Sequence, residues 1–136
     1  MATEFRVLLA DQPGTLASLG HVLGDARVNI EAIHGWSLGG TTLQRNAVVQ
    51  FVPNDVERTA RALDAAGIAH TTREVLVVKV LDQPGMIGDV ALVMSTAGIN
   101  IDSVYVTTHG LVVLGVDDIA GATQVAAGMA VMSLVE

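Results

Sequence analysis

A four-residue phrase occurs twice in this 136-residue chain, as Asp11-Gln12-Pro13-Gly14 and Asp82-Gln83-Pro84-Gly85. A second phrase follows each copy, Val28-Asn29-Ile30-Glu31 and then Ile99-Asn100-Ile101-Asp102. Both recur at one offset, since 82 − 11 and 100 − 29 are each 71. Two motifs at one fixed spacing mean an internal duplication, and that limits the possible folds more than composition does. Each Asp-Gln-Pro-Gly closes an apolar, β-rich run (Phe5 to Ala10; Val75 to Leu81) and opens an amphipathic segment. In such a turn Pro fixes φ, and Gly lets the backbone come close to a ligand. The unpaired N–H groups of the first helical turn face outwards and attract carboxylates.

The rest of each copy follows the same order. Leu16, Leu19, Leu23 and Ala26 make a helical face, and Ile87, Val90, Met94 and Ala97 repeat it at the same offset. Strands are expected at Val28 to Gly35 and Leu43 to Val52, and again at Ile99 to Thr108 and Leu111 to Val116. A tight Thr108-His109-Gly110 turn joins the second pair. The first pair carries a longer tip over positions 35–42. After it the offset falls to 63 (118 − 55), so the tip holds an insertion of eight (71 − 63). Asn54 or Asp55 caps the next helix, with Glu57 completing an Asn form of the capping box and Val56, Ala60 and Leu63 facing inwards. In copy two Asp117 and Asp118 are adjacent caps for a helix through Ile119, Ala122 and Ala126, which Gly121 and Gly128 weaken. Ile68 to Arg73 and Met129 to Val135 close the copies as strands.

The order is β-α-β-β-α-β, twice. The fold class is therefore α+β, with two ferredoxin-like units, each an antiparallel sheet with its helices on one face. The boundary falls between residues 1–73 and 74–136, with no Gly/Ser- or Pro-rich linker there.

Composition excludes several functions. A net charge of −7 and no Lys/Arg cluster argue against nucleic acid or an anionic membrane surface as direct partner. The chain is 51% hydrophobic, but no run reaches the ~18 apolar residues that span a bilayer. Met1-Ala2-Thr3-Glu4 begins neither a basic nor an apolar signal region, and zero cysteines fit a cytoplasmic protein. His21, His34, His70 and His109 lack metal-ligand spacing, and neither a Gly-x-Ser-x-Gly elbow nor a phosphate loop is present. The expectation is no enzyme, no metal and no cofactor. Trp36 is either an exposed contact or a ring folded back over the sheet, and Lys79 faces an edge or solvent.

On these two turns, the paired Asn-Ile phrases and the βαββαβ order, the chain resembles a tandem ACT-domain protein over nearly its whole length. Ala97-Gly98-Ile99-Asn100-Ile101 matches the second phrase closely, whereas Arg27-Val28-Asn29-Ile30 lacks the Gly. The resemblance implies a regulatory module that binds an amino acid where the turn after strand one faces strand two of a neighbouring domain. By position, the first site comprises Asp11, Gln12, Pro13, Gly14, Thr15 and Leu16, with Asn29. The second comprises Asp82, Gln83, Pro84, Gly85, Met86 and Ile87, with Asn100. The ligand carboxylate would lie on the N–H groups of Gly14 to Leu16 or Gly85 to Ile87, and an Asn, Asp or strand carbonyl would accept from its ammonium. Thr15 and Met86 differ, so the sites are not equivalent, and the second is the better candidate. On this reading Gly85→Val blocks the ligand while sparing the fold. The alternative is a protein-interaction module of amino-acid metabolism whose turns are only structural. Either form is expected to be a homodimer or higher homo-oligomer, because units half the length of this chain are marginal alone.

Overall fold

The computed structural model describes residues 1–41, 44–129 and the backbone of 132–134. The elements run β1 (Ala2–Ala10), α1 (Thr15–Asp25), β2 (Ile30–Thr41), β3 (Gln44–Pro53), α2 (Val56–Ala65) and β4 (His70–Val80). They continue with α3 (Met86–Thr96), β5 (Ile101–Val106), β6 (Val112–Val116), α4 (Ile119–Ala127) and β7 (Met132–Leu134). The chain divides into two compact units, Thr3–Arg73 and Glu74–Glu136 with Met1–Ala2. Of the expected closing strand, Met129 to Val135, residues Ala130, Val131 and Val135 lie outside the described ones, as do Thr42 and Leu43 at the first hairpin.

In the N-terminal unit the strand order is β2-β3-β1-β4. β3 pairs antiparallel with both β1 and β2, placing Phe5 and Ile33 opposite Phe51, and Val7 and Gly35 opposite Val49. Phe5, Val7, Val49 and Phe51 share one core with Leu19 and Leu23 of α1 and Leu63 of α2, so both helices cover the same face. The Phe5 and Phe51 rings stack with centroids 5.6 Å apart. The C-terminal unit repeats the order as β5-β6-β4-β7. Its core joins Leu76, Val78, Val112 and Leu114 of the strands to Val90 and Met94 of α3 and Ala122 and Ala126 of α4. The architecture is α+β, built from βαββαβ order.

Four local expectations change. The separate strands at 68–73 and 75–81 are one strand, β4, because no Gly or Pro interrupts its extended run. Residues 35–41 of the expected tip do not form a loop. They continue β2, with a register shift between Ser37 and Gly39. Leu16 and Ile87 are 57% and 48% exposed rather than buried, since the first turn of each helix lies over a cavity instead of the core.

The fourth change is at the caps. Asp55, not Asn54, caps α2 by accepting from Arg58 N–H at 3.0 Å. Asp118 alone caps α4, accepting from Gly121 N–H at 2.9 Å. The preceding residues act elsewhere. Asn54 Oδ1 accepts from Asn29 N–H at 2.9 Å while Asn54 N–H donates to the Asn29 carbonyl at 3.0 Å. Asp117 does the same with Asn100, at 3.0 and 3.2 Å. The duplicated Asn is thus the anchor of a two-bond clasp between the start of β2 or β5 and the start of α2 or α4.

The helix ends show a strained substitution. After α1 and α3 the chain turns by the same pair of bonds, Arg27 to Gly24 and Val28 to Leu23, then Gly98 to Ser95 and Ile99 to Met94, all 2.9 Å. Gly98 has φ of 74°, and Arg27 must adopt 59° at the equivalent place. A left-handed residue with a Cβ costs about 1–2 kcal/mol, offset partly by the greater flexibility of Gly in the unfolded chain. Arg27→Gly is therefore expected to stabilise the protein by about 0.5–1 kcal/mol. Urea unfolding measures this, and a lower midpoint for the variant contradicts the strain.

Candidate functional site

Each Asp-Gln-Pro-Gly forms a turn whose last residue is left-handed: φ is 93° at Gly14 and 89° at Gly85. Neither α1 nor α3 has a side-chain cap. The first i→i−4 bonds are Ser18 to Gly14 and Asp89 to Gly85, both 3.0 Å. Among the described residues the N–H groups of Leu16, Ala17, Ile87 and Gly88 have no acceptor within the protein. These donors are open, as the sequence requires, and Gly rather than Asp heads each helix.

A cavity adjoins each turn. In the N-terminal unit it measures about 470 Å³ and gathers Asp11, Gln12, Thr15 and Leu16 with Leu9, Gly35, Ser37, Ala47 and Val49. In the C-terminal unit it measures about 570 Å³ and gathers Asp82, Gln83, Gly85, Met86 and Ile87 with Val80, Leu81, Val106, His109 and Val112. Pro13, Gly14 and Pro84 lie in the turns but do not line these cavities. Nor do the two Asn residues. Asn29 precedes β2, while the first turn's cavity meets residues 33–37 of that strand. Asn100 lines a separate hollow with Ala91, Ser95 and Gly98. Within its own unit, each Asn is apart from its own turn.

The two aspartates are in different states. Asp11 Oδ2 accepts from Ser37 Oγ at 2.6 Å and from Arg45 Nη2 at 3.1 Å. Thr15 Oγ1 donates to the Ala10 and Gln12 carbonyls at 2.7 and 3.1 Å, bracing the same turn. Among the described residues the Asp82 carboxylate has no such partner, and Met86 replaces the bracing hydroxyl with a buried thioether. Sequence reasoning missed Ser37 and Arg45, because only the register of the lengthened hairpin brings them to Asp11. It also missed Gly35 and Val106, although the offset of 71 pairs them.

His34 and Trp36, which also line the first cavity, have partners within the protein. His34 Nε2 lies 2.6 Å from the Gln50 amide. With the amide nitrogen donating there, its oxygen accepts from Arg6 at 2.8 and 3.0 Å. Trp36 packs its ring 5.0 Å from His34 and remains 41% exposed, a ring folded against the sheet. Among the described residues no group of three potential metal ligands occurs, and no helix is long and apolar enough to cross a membrane.

The geometry of Gly85 corrects one expectation. A Cβ there meets nothing within 4 Å, but φ of 89° strains any side chain, most of all a β-branched one. Gly85→Val therefore perturbs the turn itself and is a poor test of ligand approach.

Residues 3–67 match the ACT domain family. No curated protein matches the chain by sequence. Among solved structures the chain is similar to protein BT0572 from Bacteroides thetaiotaomicron, with TM-score 0.85 and 18% identity over 98% of this chain and 91% of that one. It is also similar to the ligand-free regulatory subunit of aspartate kinase from Thermus thermophilus, with TM-score 0.66 and 18% identity, covering 90% and 86% of the two chains. The regulatory subunit of aspartate kinase from Thermus flavus matches with TM-score 0.64 and 17% identity, covering 91% and 88%. Residues 3–67 thus match an ACT domain, and about nine-tenths of the chain shares the fold of the two aspartate kinase regulatory subunits.

Asp11 allows a direct check on the first turn. The Ser37 hydroxyl foremost holds its carboxyl below the ordinary value; burial opposes this, and the charge and hydrogen bond of Arg45 add to the lowering. A depressed folded-state pKa contributes stability above the unfolded value, and that contribution is lost as pH falls through the folded one. Ser37→Ala is expected to raise the titration midpoint of Asp11, read by carboxyl-carbon NMR. An unchanged midpoint contradicts the assigned hydrogen bond.

Proposed function

We propose that this protein is a cytoplasmic regulatory protein, not an enzyme, in which residues 1–73 and 74–136 form two ACT-like domains. It senses an α-amino acid at a duplicated β–α turn and passes that state to a partner enzyme or to its own assembly. The second turn is the working site. The observation that carries this reading is the contrast between the aspartates: Ser37 and Arg45 engage Asp11, while Asp82 is unengaged among the described residues.

An α-amino acid presents an anion and a cation on one carbon. At the second turn the open N–H groups of the α3 start receive the carboxylate, with the positive end of the helix dipole behind them. Asp82 accepts from the ammonium, a charge-assisted bond stronger than a neutral one. At the first turn one oxygen of the equivalent carboxylate, Asp11 Oδ2, is already engaged inside the protein. There the structural alternative has its support, as a turn braced by Thr15 and pinned by Arg45.

Asn29 and Asn100 sit apart from their own turns, so either the other unit or a second copy of the chain has to supply them to a pocket. We propose a homodimer or higher homo-oligomer as the binding form. Regulatory action fits the kind of protein that shares this fold, the regulatory subunits of aspartate kinase. The regulated partner here is not thereby an aspartate kinase.

Calorimetric titration with the twenty amino acids tests the site. At least one is expected to bind the wild type below millimolar. Asp82→Asn should weaken it roughly 10- to 100-fold, matching the ~1.5–3 kcal/mol of a hydrogen bond to a charged group, whereas Asp11→Asn should leave it nearly unchanged. Absence of any binding, or equal loss in both variants, contradicts the assignment.

A further inference from the structure

The duplication supplies an internal control for the chemistry of the second cavity. Offsets of 71 and 63 pair its lining with that of the first, so each substitution between copies can be read in place. Leu9, Leu16 and Val49 of the first cavity correspond to Val80, Ile87 and Val112 of the second, apolar in both. Three further positions change in one direction: Ala10 becomes Leu81, Thr15 becomes Met86, and Gly35 becomes Val106. These three changes add apolar volume or remove a hydroxyl, while Leu9 to Val80 and Ala47 to Gly110 each give back a single carbon.

The register places the new side chains around the cavity. Val106 pairs with Val112 across β5 and β6, as Gly35 pairs with Val49, so Val106 stands on the helix-covered face. Leu81, Ile87 and Val106 are 53%, 48% and 59% exposed, and all three line this one hollow. Exposed aliphatic groups gathered in a concavity mark a surface that an apolar group covers. The cavity's polar side chains, Asp82, Gln83 and His109, are all exposed, and the lining holds no Lys or Arg.

We infer that the second cavity selects an α-amino acid with an uncharged aliphatic or thioether side chain, of the leucine, isoleucine, valine and methionine class. The inference rests on the amino-acid reading of this turn and adds the side-chain class to it. A side-chain carboxylate finds no Lys or Arg on this wall. A side-chain ammonium finds only Asp82, already committed to the α-ammonium. Desolvating either charge against Leu81, Ile87 and Val106 opposes binding. An aliphatic side chain instead removes apolar surface from water on both partners.

Calorimetry on the full chain compares leucine, isoleucine, valine and methionine with aspartate, glutamate, lysine and serine. The aliphatic group is expected to bind at least tenfold tighter. Val106→Lys, at an exposed position, should weaken leucine at least tenfold and strengthen glutamate, while its thermal midpoint stays within a few degrees of wild type. Leu81→Ala gives a milder loss of leucine affinity and guards against a folding defect in the lysine variant. If a charged amino acid binds tightest, or both variants bind leucine as wild type does, the side-chain inference falls while the amino-acid site stands. If no amino acid binds, both fall together.

Discussion

Both candidate sites depend on a backbone conformation that glycine alone adopts at little cost. With φ of 93° at Gly14 and 89° at Gly85, the chain leaves a strand and starts a helix with no side chain folded over the first turn. A more usual Ser or Asp cap would have spent its oxygen on those N–H groups. Glycine leaves them open, and it leaves Asp11 and Asp82 free for other partners. The helix direction set by this turn also brings Leu16 and Ile87 over the cavities rather than into the cores.

From this common start the copies diverge. In the first hairpin β2 and β3 run long enough for Ser37 and Arg45 to meet Asp11. That closes the first turn on itself. The second copy keeps the short hairpin, an unengaged Asp82, and a lining in which Leu81, Met86 and Val106 replace smaller or more polar residues. What the copies share is equally informative. The clasps at Asn29 with Asn54 and Asn100 with Asp117 use different side chains to make the same two bonds. Geometry is kept there, and chemistry is varied at the turns.

The order of elements was legible because it rests on local signals repeated at one spacing: two turns, two helical faces and two Asn-Ile phrases. The core positions Leu19, Leu23, Val90 and Met94 follow from helical periodicity alone. Less legible was anything that depends on register. Nothing local in Ser37 or Arg45 points to Asp11, 26 and 34 residues away. The division of labour at Asn54-Asp55 and Asp117-Asp118 is hidden for the same reason, since either member of each pair carries a capping oxygen. Leu16 and Ile87 fit the apolar stripe, but each lies at a cavity between the first helical turn and the strands rather than in a core. At the site itself the turn residues were readable and the walls were not, because the facing of Gly35, midway along β2, and of Val106, at the end of β5, depends on the hairpin register.

The central claim is that the second turn binds a ligand and the first does not. The most direct measurement is a map of backbone amide shifts, by two-dimensional NMR of the isotope-labelled protein, as leucine is added. The account expects saturable shifts concentrated at residues 82–88 and 106–110, with residues 11–17 little affected. Shifts centred on 11–17, or none in either turn at millimolar leucine, would contradict it.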